Sequence, residues 1–139
     1  MWRAAFLLMV LPSLAPAQDL VNTMRGLYGS ASDPAGSCQS NPHRIDFLVN
    51  PPHLVMLWTA PWTNAQGVTE YNRRYDLLAS DGGTFTLRWE DDPQQTDSGT
   101  HPIWILRHTT QPEGYCMGRS DWPQMRCEDQ QLRCDAPVS

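Results

Sequence analysis

Seven residues, TFTLRWE at 84 to 90, set Phe85, Leu87 and Trp89 in strict alternation with Thr84, Thr86, Arg88 and Glu90. A two-residue period marks a strand with one buried face, because successive side chains on a pleated strand point to opposite sides. Just upstream, Ser80-Asp81-Gly82-Gly83 supplies residues that tolerate the positive φ of a tight reversal. YDLLAS, at 75 to 80, precedes that reversal with Tyr75, Leu77 and Ala79 on one face. The two segments are therefore predicted to form a hairpin, which commits this part of the chain to antiparallel sheet.

The same signals recur along the chain. RIDFLV (44 to 49) and HLVMLWT (53 to 59) flank Asn50-Pro51-Pro52, a second reversal. IWILRH (103 to 108) follows the polar stretch DDPQQTDSGTHP, and TTQPEG leads from it to YCMGR at 115 to 119. With a short piece near 27 to 30, about seven strands joined mainly by turns are expected, and this spacing predicts an all-β antiparallel meander forming a small barrel or sandwich. The one helical candidate is DLVNTMRG at 19 to 26, where Leu20, Val21 and Met24 share a face and Gly26 or Gly29 could stop it.

The first residues, MWRAAFLLMVLPSLAPAQD, carry Arg3, an apolar run from Ala4 to Ala15, and the small-x-small triplet Ala15-Pro16-Ala17. That is the layout of a secretory signal peptide over residues 1–17, cleaved after Ala17. It leaves 18–139 as a single small β domain, expected to be periplasmic or secreted, monomeric and without a membrane anchor. Such a compartment lets disulfides form and persist. Cys38, Cys116, Cys127 and Cys134 all lie in the mature part, and their spacings supply neither a zinc knuckle nor a C-x-x-C redox pair. They read as staples. Of the three possible pairings, Cys38–Cys116 with Cys127–Cys134 is expected, tying the domain's start to its last strand and closing a small loop in the C-terminal tail.

The mature charge is 9 Arg against 15 Asp and Glu, a net −6. An acidic chain without a basic stripe is a poor ligand for nucleic acid or anionic membranes. All ten basic residues are Arg, so Schiff-base chemistry, P-loop phosphate binding and lysine general bases are excluded. His43, His53, His101 and His108 form neither H-x-H on a strand nor H-E-x-x-H on a helix, and each reads as a polar surface residue. Glu90, Asp91, Asp92 and Asp97 cluster without the order of a calcium loop, as in a solvated hairpin loop. Ser98 lacks a G-x-S-x-G elbow. The chain is therefore expected to have no catalytic residues, no metal site and no cofactor, with a hydrolase or metalloenzyme as the least favoured alternative.

Two strands are apolar on both faces. Leu54, Met56 and Trp58 oppose Val55 and Leu57, and Ile103 and Ile105 oppose Trp104 and Leu106. Either the helix or the C-terminal tail covers the second face, or the chain offers a patch or cavity to a ligand. Trp58, Trp62 (in the loop APWTN) and Trp104 are the candidate ligand or partner anchors, with Trp122 in DWP as a further one.

MRGLYGSA, opening the domain behind the short helix, resembles the G-x-W entry of lipocalin-type (calycin) barrels. Gly26 matches the glycine, Tyr28 stands where the family has tryptophan, and Arg119 in GRSDW resembles the last-strand arginine that packs across the entry residue. The resemblance implies a closed barrel holding a small apolar ligand in its mouth. A second likeness, of shape alone, is to small disulfide-bonded periplasmic barrels that inhibit lysozymes; it implies an envelope protein as partner, met through residues 91 to 100 and 109 to 114.

Overall fold

The computed structural model describes residues 15–63, 67–124, 126–127 and 129–135. Residues 1–14, which hold most of the expected signal segment, lie outside the described residues. A helix, α1 (Ala15–Met24), leads into eight antiparallel strands: β1 (Gly26–Ser30), β2 (His43–Leu48), β3 (His53–Thr63), β4 (Thr69–Asp81), β5 (Thr84–Trp89), β6 (Trp104–Thr110), β7 (Glu113–Arg119) and β8 (Gln131–Arg133). Each strand pairs with the next in sequence, and β8 returns to pair with β1, closing a barrel. Among the described residues no helix is long and apolar enough to cross a membrane.

The hairpin predicted from TFTLRWE is present, with Asp81 opposite Thr84 across the Gly82-Gly83 turn. A register shift between Leu77 and Ala79 turns Ala79 outward, so the expected Tyr75-Leu77-Ala79 face is broken at its third member. The strand absent from the sequence reading is β8, three residues long and too short to carry a periodic pattern. The barrel interior is filled at the end where α1 enters. Leu20 and Met24 plug it from below, and Tyr28, Ile45, Phe47, Leu54, Tyr75, Phe85, Leu87, Leu106 and Tyr115 pack above them. Tyr28 and Tyr115 meet edge to face at 5.1 Å, and the Tyr28 hydroxyl donates to the Met24 carbonyl at 3.0 Å. The helix thus closes one end and does not cover the second face of β3, where Leu57 remains 44 % exposed. The tail does cover β7, whose outward Cys116 is fully buried.

The disulfides correct the expected pairing. They join Cys38 to Cys134 and Cys116 to Cys127. The reason is the unforeseen β8, which lies between β7 and β1. The segment carrying Cys38 crosses directly over β1: a Cβ on Gly29 would sit 2.2 Å from the Cys38 nitrogen, so only glycine fits there. Cys134 follows β8 on the other side of that crossing, and its amide donates to the Leu27 carbonyl at 2.7 Å. Cys116, facing outward on β7, is left to the tail and pairs with Cys127.

The role expected for Arg119 also moves. Arg119 ends β7 near the open end, where it forms a two-pronged pair with Asp121 at 2.9 and 2.7 Å and donates to Gln94 at 3.1 Å. Arg133 on β8 is the residue that lies over Tyr28, its guanidinium carbon 5.8 Å from the ring centre. Its two terminal nitrogens donate to the carbonyls of Thr23 and Arg25 at 2.5 and 2.7 Å. A cation there satisfies carbonyls left unpaired at the end of α1 and sits at the negative end of the helix dipole.

Trypsin cuts after Arg126 and Arg133, so Cys127 and Cys134 fall on separate peptides. Mapping without reductant should recover Cys38 linked to Cys134, and Cys116 linked to Cys127. On a chain-entropy basis the first bridge stabilises by about 4.7 kcal/mol and the second by about 2.8 kcal/mol. Replacing Cys38 and Cys134 by Ser should therefore lower the unfolding free energy more than replacing Cys116 and Cys127. The reverse order, or a Cys127–Cys134 peptide, would contradict this assignment.

Candidate functional site

The end of the barrel away from α1 is open. Here β1, β3, β5 and β7 finish while β2, β4, β6 and β8 begin, and the inward side chains surround a cavity of about 600 Å³. That is within the usual range for a small-molecule site. All three tryptophans selected from the sequence line it, together with Trp122.

They form two walls. Trp58 and Trp62 lie nearly parallel, their planes 7° apart and their centres separated by 6.4 Å. Trp62 belongs to β3 rather than to a loop, and it packs flat on Gly36, where an added Cβ would meet the ring at 3.0 Å. Across the cavity, Trp104 and Trp122 meet at 78° with centres 6.1 Å apart. Trp104 is oriented by Asp92, whose carboxylate accepts the indole N–H at 2.8 Å and a second bond from the Gln94 amide at 2.9 Å. Asp92 is buried, so this member of the acidic loop is a structural anchor rather than a solvated residue. Arg119, between Gln94, Asp121 and the Trp122 ring at 6.0 Å, ties the loop before β6 to the segment after β7 that carries Trp122.

The floor is polar but internally satisfied. Arg73 on β4 stacks over Trp89 at 4.0 Å, lies 5.5 Å from the centre of Trp58, and donates to Glu70 and to the Tyr75 hydroxyl. Burial alone would lower its pKa, but Tyr75 and Glu70 more than reverse this, so the guanidinium is held firmly charged. Beside it His43 shares a 2.5 Å hydrogen bond with Tyr115. Burial raises the pKa of Tyr115 well above the ordinary phenol value, and raises that of Tyr75 too, so both hydroxyls stay protonated. Met56 and Met117 complete the floor, and Ser30, Asp33, Asp129 and Gln131 stand at the rim.

His43 corrects the surface reading of the histidines, as does His53: both are buried, at 3 % and 4 % exposure. The alternation His43-Ile45-Phe47 places His43 on the inner face of β2 with two apolar neighbours, a signal that was present in the sequence. Arg73 could have been read the same way from its two-residue spacing to Tyr75. Asp92 had no such signal, because its burial depends on a loop fold. The two loops assigned to an envelope partner do not form one surface, since β6 runs the length of the barrel between residues 91–100 and the turn at 111–112.

Compared with protein-family models, with curated proteins and with solved structures, the chain matches none of them.

Burial, and after it the charge of Arg73, lowers the His43 pKa from 6.5 to about 4. Between those values the unfolded chain takes up a proton that the folded chain refuses. Stability therefore falls as pH drops through this window, by about 3 kcal/mol in all from this group. Ring shifts of His43 followed by NMR should stay flat from pH 8 to about 5. A midpoint near 6.5 would show that the ring is solvated and the floor open to water.

Proposed function

We propose that the protein is an exported binding protein whose barrel mouth takes a small, mainly apolar ligand between the Trp58–Trp62 wall and the Trp104–Trp122 wall. The observation that carries this reading is the convergence of four tryptophans, from β3, β6 and the segment after β7, on one open cavity of about 600 Å³. A chain that needed them only as core would bury them at the filled end, where α1 already supplies the plug. Apolar walls give affinity by removing ligand surface from water, and a few fixed polar groups set orientation. Here the second part falls to the floor: Arg73 is fixed by Glu70 and Tyr75, and the N–H donors that those bonds leave over can meet a polar end of the ligand.

The lipocalin-type resemblance supports the same use of the mouth, with Tyr28 as the entry aromatic and Arg133, not Arg119, as its covering cation. Export to the periplasm or beyond is supported by two disulfides, which persist in oxidising compartments. The reading assigns no reaction. His43, bonded to the Tyr115 hydroxyl, and Arg73, bonded to that of Tyr75, serve as positioning groups for the floor.

Tryptophan emission reports on this site directly. Titration with a panel of alkyl and aromatic amphiphiles should give a saturable quench or blue shift for at least one class. Trp58→Ala combined with Trp104→Ala should weaken that ligand by at least about tenfold while leaving the far-ultraviolet circular dichroism unchanged. An emission spectrum that no member of a broad panel alters would count against the proposal.

A further inference from the structure

The outer wall of the barrel carries a second cluster, remote in sequence and unrelated to the mouth. His53 opens β3 and lies directly opposite Asp76 on β4; Asp76 is opposite Arg88 on β5, and Glu90 follows two residues later. Leu54 and Met56 point inward, so His53, Asp76 and Glu90 share the outward side. Among the described residues these three form a group whose ligand atoms all lie within 4.8 Å of one another.

The geometry points to a divalent-cation site of the zinc class formed by His53 Nε2, Asp76 Oδ1 and Glu90 Oε1. The imidazole is fixed first. Nδ1 lies 2.8 Å from the Pro51 carbonyl, which can only accept, so Nδ1 carries a proton and Nε2 is the nitrogen left for a metal. A backbone carbonyl on the far nitrogen is the usual way in which a metal-binding histidine is oriented. Arg74 Nη2 also approaches Nδ1, but at 3.5 Å it is the weaker neighbour.

Nε2 then faces two carboxylate oxygens, Asp76 Oδ1 at 3.0 Å and Glu90 Oε1 at 3.2 Å. Three lone pairs converging at such distances repel unless a positive species sits among them. A tetrahedral zinc ion with bonds of about 2.0–2.1 Å separates its ligand atoms by about 3.3 Å, close to both spacings. A proton on Nε2 is the competing occupant. A single N–H prefers one acceptor on its axis, whereas two carboxylate oxygens here lie at nearly the same distance from the nitrogen, as ligands of a shared ion do. The histidine side chain is only 5 % exposed although it stands on the outer wall, so bulk water does not satisfy it.

The neighbours bear on affinity. Arg88 holds the other oxygen of Asp76 at 3.0 Å, which keeps that carboxyl ionised and below the usual carboxylate range while leaving Oδ1 available. Arg74 lies 3.5 Å from Glu90 Oε1. Two guanidinium groups this close oppose an added cation, so the site should bind in the micromolar range rather than tighter. Three protein ligands leave a fourth position for water or for a donor from another molecule. This inference departs from the metal-free reading of the sequence and is independent of the ligand proposed for the mouth.

The test is calorimetric titration of the chelator-treated protein with zinc chloride at pH 7.5 in a non-coordinating buffer. One saturable site is expected, weakened at least about tenfold by His53→Gln and likewise by Glu90→Gln. His108→Gln, which removes the separate His108–Glu113 pair, should leave binding unchanged. If His53→Gln does not fold, Glu90→Gln decides alone, since Glu90 is partly exposed and outside the core. Absence of saturable binding up to millimolar zinc would overturn the proposal and assign the position to a proton. Binding that survives Glu90→Gln, or that is lost in His108→Gln, would overturn it equally.

Discussion

Closure of the barrel depends on three residues. Gln131, Leu132 and Arg133 are all that bridges β7 to β1, and a seam so short has few ladder hydrogen bonds of its own. Covalent and ionic contacts reinforce it at one spot. Cys38–Cys134 clamps the end of β8 to the segment that crosses β1, and Arg133 carries its charge inward to the last carbonyls of α1. Two glycines permit the approach: Gly29 lets the Cys38 segment cross, and a Cβ on Gly114 would fall 1.8 Å from the Gln131 carbonyl. Without this seam β1 and β7 would be sheet edges, and exposed edges invite pairing with other chains.

Once closed, the barrel is asymmetric along its axis. The helix enters at one end and fills it with Leu20 and Met24, while the other end has no comparable plug and is lined by tryptophans whose orientation comes from loops. Trp104 takes its direction from buried Asp92, and Trp122 from the strap of Arg119 and Asp121. Polar groups at the floor are paired before any ligand arrives, which limits the desolvation cost of placing Arg73 and His43 in the interior. The mouth is thus preorganised by interactions that are themselves buried.

Much of this was legible in the chain, for physical reasons. Strands that bury one face must alternate, so β5 and the second half of β4 could be read from pattern; β3 and β6 showed as apolar runs bounded by turns, and the Gly82-Gly83 reversal followed from backbone freedom. Trp58, Trp62 and Trp104 stood out because strands apolar on both faces, or loops ending in large aromatics, demand an account of what covers them. What escaped was non-local. The short β8 has no period, its partner being β1 about a hundred residues earlier, and with it went the disulfide pairing and the identity of the arginine over Tyr28. The burial of His53 likewise depends on β4 pairing with β3 and β5 with β4, and no spacing within one segment encodes that register.

The central claim is that β8 closes the sheet. Amide hydrogen exchange at the seam tests it most directly, because the Cys134 amide is bonded to the Leu27 carbonyl and the Ala31 amide to the Gln130 carbonyl. In the oxidised protein these two amides should be protected to a degree comparable with the β3–β4 ladder. Exchange at both near the rate of an unstructured chain, while β3 and β4 stay protected, would mean an open sheet and would contradict the account.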